Sequence, residues 1–120
     1  MRNKKLIRGL TVAFVAIAFT GCKSAPKPIY EWGGYQPQVY QHFKGESPDQ
    51  QIALLEKDLE KIAANGNSPP PGYHAHLSLL YLSTGNEAAA AKHFQIEKML
   101  FPESTTYIEF LTKNAKKKDK

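Results

Sequence analysis

Proline and glycine divide this chain before any other residue type does. Pro26, Pro28, Pro37 and Pro48, with Gly33, Gly34 and Gly45, crowd the span from Lys23 to Pro48, and three consecutive prolines, Pro69 to Pro71, precede Gly72. A proline within a helix removes a backbone donor and clashes with the preceding turn, so the span from Lys23 to Pro48 holds no long helix and is expected to be extended or loop-like. Past it the breakers are sparse, and helices fill the intervals. Ser47 can cap and Pro48 suits a first helical position, after which Ile52, Leu55, Leu59 and Ile62 recur at helical spacing as far as Ala64. Asn65-Gly66-Asn67 stops that helix. A second is expected from Tyr73 to Ser83, and Gly85-Asn86 turns the chain into a third from Glu87 to Leu100. Phe101-Pro102 ends the third, and Ser104 can cap a last short helix through Lys113, with Tyr107, Ile108 and Leu111 on its apolar side. The expected fold class is all-α, a helical hairpin with flanking helices behind an extended segment rich in Pro, Gly and aromatic residues.

That leading segment is unusual for a tether. It carries Tyr30, Trp32, Tyr35, Tyr40 and Phe43, rings that a solvated linker does not normally hold. Two readings stand. Either the rings lie back on the helical body and seal its end, because large aromatics dominate burial in small cores, or Tyr30, Trp32, Tyr35 and Tyr40 dock a partner, because such side chains anchor interfaces.

Ahead of it, Arg2, Lys4, Lys5 and Arg8 form a positive region, and Leu10 to Phe19 an apolar run shorter than the roughly 20 residues a spanning helix needs. The run ends in Phe19-Thr20-Gly21-Cys22. This resembles a lipoprotein signal peptide with its lipobox, Phe19 standing where Leu is usual. The resemblance implies removal of residues 1–21, cleavage between Gly21 and Cys22, and a covalent lipid such as palmitate on Cys22. Several acyl chains on one cysteine exceed the two signals that stable attachment requires. Lys23, where Asp would retain a lipoprotein at the inner membrane, implies the periplasmic face of the outer membrane. Cys22 is the only cysteine, so neither a disulfide nor cysteine-centred catalysis is expected.

Removal of residues 1–21 also removes most of the basicity. The remaining chain has twelve Lys and Arg against eleven acidic residues, a net charge of +1, which takes away the case for nucleic acid. Five of those lysines, Lys113, Lys116, Lys117, Lys118 and Lys120, lie at the C-terminus, so the body is mildly acidic. A Lys-rich end of this kind reads as a solvated terminus, with contact to anionic lipid or polysaccharide as the functional alternative. The organisation expected is a signal peptide over 1–21, a lipidated N-terminus and extended aromatic segment over 22–47, a helical domain over 48–113 and a basic tail over 114–120.

Leu77, Tyr81, Gly85, Ala90, Phe94 and Pro102 fall at the spacing of the tetratricopeptide repeat, in which a large residue and an aromatic line helix A, glycine makes the turn and alanine admits helix B closely. The resemblance covers roughly residues 72 to 113: the helical pair resembles one such repeat, and the last helix resembles the one that caps an array. The frame departs at His74, where Trp is preferred, at Ser78, where glycine is usual, and at Glu97, where a small residue packs between the helices. The whole layout, a short lipoprotein signal, Tyr30-Glu31-Trp32-Gly33-Gly34-Tyr35, Tyr40 and then the helical pair, is similar to a family of small bacterial lipoproteins of unknown function. Members are commonly encoded beside a lipoprotein resembling the curli secretion pore and another small lipoprotein, which implies an envelope complex.

Signs of chemistry are sparse. His74 and His76 diverge by about 200° on a helix and cannot easily share an ion, and His42 and His93 have no ligand-spaced partners, so no metal site is expected. The chain offers no phosphate-cradling loop, nucleophile motif or recognisable pair of catalytic acids. The expectation is a non-enzymatic adaptor at the outer membrane, without a cofactor beyond the lipid on Cys22 and without a small-molecule substrate, that binds an envelope protein or other lipoproteins. The alternative is a binding module for cell-wall glycan or lipopolysaccharide, using Trp32, the tyrosines and the basic tail.

Overall fold

A computed structural model describes residues 25–118, among which all regular structure is helical. The expected signal peptide, its cleavage site and Cys22 lie outside the described residues. Five α-helices follow one another: α1 (Tyr35–Phe43), α2 (Pro48–Ala64), α3 (Tyr73–Ser83), α4 (Glu87–Leu100) and, after a 3-10 turn at Pro102–Ser104, α5 (Thr105–Lys118). Among the described residues no helix is long and apolar enough to cross a membrane.

The middle three helices have the expected bounds, since each lies between breakers. Asn86 caps α4, its Oδ1 accepting from the Ala89 amide at 3.1 Å. Ser47 stands at the start of α2 without a capping side-chain hydrogen bond, contrary to expectation. Ser104, the last residue of the 3-10 turn, stands directly before α5.

Two other expectations need correction. The segment over 22–47 is not extended throughout, because residues 35–43 form α1. Pro37 is its third residue, and amides of the first turn have no intrahelical acceptor, so the missing N–H costs the helix nothing. At the other end α5 runs five residues past Lys113, so the backbone of the basic tail continues as helix to Lys118.

α3 is the centre of the domain. Every residue from Tyr73 to Ser78 is buried, as in a helix covered on several sides. One side, Tyr73, Leu77 and Leu80, meets Leu55 and Ile62 of α2, with Tyr35 of α1 and Tyr81 packed against them. On the other, Ala75 meets Phe94 of α4 and Ile108 of α5, with Leu79, Leu82 and Leu111 alongside. The tetratricopeptide positions Leu77, Ala90 and Phe94 are all core residues.

Candidate functional site

The aromatic segment is a strap laid across one end of the bundle. The Glu31 amide donates to the Ser68 carbonyl at 2.9 Å, and its carboxylate accepts from the side-chain amides of Asn65 and Asn67. Three residues on, the Gly34 amide donates to Asp58 Oδ2 at 2.6 Å. A side chain at residue 34 would put Cβ 2.7 Å from that oxygen, so glycine is what allows so close an approach. Tyr35 then stacks on Tyr73 with ring centroids 5.1 Å apart and meets the edge of His76. Burial pushes the Tyr35 hydroxyl pKa up, with Glu97 and Tyr107 adding to the effect.

The four aromatics expected to dock a partner therefore divide. Tyr35 belongs to the core side of the strap, and Tyr30 meets the Phe101 ring edge-on at 5.8 Å. Trp32, stacked outside Tyr35, is 45 % exposed, and Tyr40 is 58 % exposed. Tyr30 and Tyr35 lie back on the body, whereas Trp32 and Tyr40 keep much of their surface open to solvent.

Between α3 and α4 lies a buried polar joint built from the three residues that depart from the repeat pattern. Glu97, fully buried, receives the amides of Gly72 at 2.6 Å, His74 at 3.1 Å and Ala75 at 3.3 Å, satisfying the open N-terminus of α3 from the neighbouring helix. The Ser78 hydroxyl lies within hydrogen-bond distance of the carbonyls of His74 and Ala90. His74 Nδ1 lies 2.9 Å from His93 Nδ1, His93 Nε2 lies 3.1 Å from Glu56 Oε1, and the Tyr81 hydroxyl donates to the same oxygen at 2.8 Å. With both rings neutral this network assigns the protons: His93 Nε2–H donates to Glu56, so His93 Nδ1 accepts from His74 Nδ1–H.

Burial favours the neutral form of His74, His76 and His93. It lowers the His74 pKa to about 4, with the neighbouring His93 lowering it further against the pull of Glu56. His76, buried and facing the edge of His42, is likewise lowered to about 4, first by burial and then by His42. His93 is lowered by burial despite Glu56. The Tyr81 hydroxyl is pushed up to about 12 by burial and by its bond to Glu56. His74 and His76 thus pair with different histidines on different helices. No group of three His, Cys, Asp or Glu among the described residues is placed to hold a metal ion. Linear spacing gave no sign of these pairs, because their members lie 19 and 34 residues apart.

The opposite side of the hairpin is open. α5 touches α3 and α4 through Ile108 and Leu111, and beside this contact lie two adjoining hollows of about 340 and 420 Å³. Their walls include Leu82, Ala90, Phe94, Ile108, Leu111 and Ala115, an apolar set with Glu87 and Lys98 at the margins. None of the four histidines lines this groove.

A family model described as a domain of unknown function (DUF4810) matches residues 29–111. The chain belongs to this family. The matched span begins in the strap and ends at Leu111, on the wall of the groove, so the DUF4810 unit takes in strap and helices together. No curated protein and no solved structure matches the chain.

Proposed function

We propose that the protein is a non-enzymatic adaptor of the bacterial cell envelope, anchored through an acylated Cys22 at the periplasmic face of the outer membrane. Its helical body holds a segment of another envelope protein, for which a neighbouring lipoprotein is the expected candidate. The observation that carries this reading is the groove between α4 and α5. It is walled by apolar side chains of α3, α4 and α5, the kind of surface that takes the apolar face of an amphipathic helix. The lipobox supports the anchor, and the polar joint, closed on itself, acts in this reading as scaffold.

Ala91 lines the groove and is itself exposed, so Ala91→Arg fills the groove without disturbing the core. Pull-down from detergent-solubilised envelopes is expected to recover a stoichiometric protein partner with the wild type and to lose it with Ala91→Arg; recovery unchanged by that substitution removes the groove from the reading. Labelling with a clickable fatty acid is expected to mark the wild type and not Cys22→Ser. The half-exposed Trp32 favours the second reading, glycan or lipopolysaccharide binding. That reading gains if purified glycan retains the protein and Trp32→Ala releases it.

A further inference from the structure

Among the described residues, nothing else covers one face of α1. Tyr35, Gln38 and Val39 turn toward the body, whereas Gln36, Pro37, Tyr40, Phe43 and Lys44 are exposed and recur at the spacing of a single helical stripe. Phe43 is 83 % exposed, and the Lys44 ammonium sits 4.7 Å above the Tyr40 ring. An amine held over an aromatic, beside a second bare ring, is the pattern of side chains that rest at a lipid headgroup boundary: the rings go below and the cation stays with the phosphates.

We infer that this stripe of α1 lies in the bilayer interface and gives the anchored protein a second, non-covalent membrane contact. The inference rests on the lipid-anchored reading, and two observations choose the bilayer over a protein as the occupant. First, Cys22 precedes Trp32 by ten residues, at most about 35 Å of fully extended chain, so an acylated Cys22 keeps α1 within a short reach of the membrane. Second, the charges from Cys22 to Gly45 are complementary to anionic lipid. Lys23, Lys27 and Lys44 face a single acidic residue, Glu31, whose carboxylate is held by Asn65 and Asn67; Glu46 comes after the end of α1. Lipid anchor and interfacial helix together fix the orientation of the domain, so that the strap end faces the membrane.

The experiment moves the only tryptophan onto the stripe. Acylated protein carrying Trp32→Phe and Tyr40→Trp is reconstituted in vesicles of phosphatidylethanolamine and phosphatidylglycerol with bromine on the shallow acyl carbons. The introduced indole is expected to shift to the blue and to be quenched, and adding Phe43→Asp is expected to abolish both effects with the far-ultraviolet circular dichroism unchanged. An indole that stays unquenched, in protein that floats with the vesicles and carries the acyl mass on Cys22, overturns the inference and leaves the anchor standing. Protein without the acyl mass overturns the anchor and, with its tether gone, this inference too.

Discussion

Glu97 illustrates how a single residue can contradict a repeat pattern and still hold the repeat together. A small residue at this place would bring the helices together and leave the first amides of α3 without acceptors, whereas the buried carboxylate supplies acceptors to three of them. Glu97→Leu is therefore expected to destabilise the domain by roughly 3 kcal/mol or more, because each buried donor left unpaired costs about 1–3 kcal/mol. Glu97→Gln, which keeps one acceptor oxygen, is expected to lose less, and urea titration of the two variants checks the order. The histidines make a second prediction. His74 and His76 titrate at about 4 in the folded chain against the 6.5 of a free histidine side chain, and His93 is also lowered. The unfolded chain consequently binds more protons between those limits, so stability is full above about pH 6.5 and falls as the pH drops toward 4. Melting temperatures measured across that window are expected to decline steadily, with a shallower decline in His76→Gln.

Among the elements, α2, α3 and α4 were legible because Asn65-Gly66-Asn67, the proline run and Gly85-Asn86 are local punctuation and the apolar spacing between them is helical. α1 was not, because Pro37 reads as a breaker unless it falls in a first turn, and nothing near it announces that a helix starts at Tyr35. The lysines beyond residue 113 hid the length of α5 in a similar way, since charge there says nothing against helix. The polar joint was the least legible feature: His74, Ser78 and Glu97 showed up as departures, but what compensates each is a tertiary contact. Two predictions separate the elements. Phe94→Ala, which empties a buried ring between α3 and α5, is expected to cost about 3–5 kcal/mol in denaturant unfolding. Tyr35→Ala removes the ring that stacks on Tyr73, and limited proteolysis is expected to cut within α1 while the fragment from α2 to α5 survives.

For the whole molecule, one hairpin and its flanking helices bury a small core, whereas about three repeats are normally needed before such a stack is stable alone. The domain from residue 23 to 120 is expected to melt at low temperature or over a broad range in calorimetry, and to sharpen when its partner fills the groove, since a ligand of the native state adds to stability by mass action. Amides of α5 are expected to exchange first, as that helix meets the core at its edge, through Ile108 and Leu111. The strap has a different consequence, one of sequence in time and of load. Every group that fastens it, Asp58, Asn65, Asn67, Ser68, Tyr73 and Phe101, comes later in the chain than the strap itself. The end of the domain that is synthesised first is thus the end that sets last. In the anchored protein proposed above, a pull on the N-terminus bears on the bonds of Glu31 and Gly34 before it reaches the core, and the strap is expected to serve as a sacrificial fastening that peels and recloses while the helices behind it stay folded.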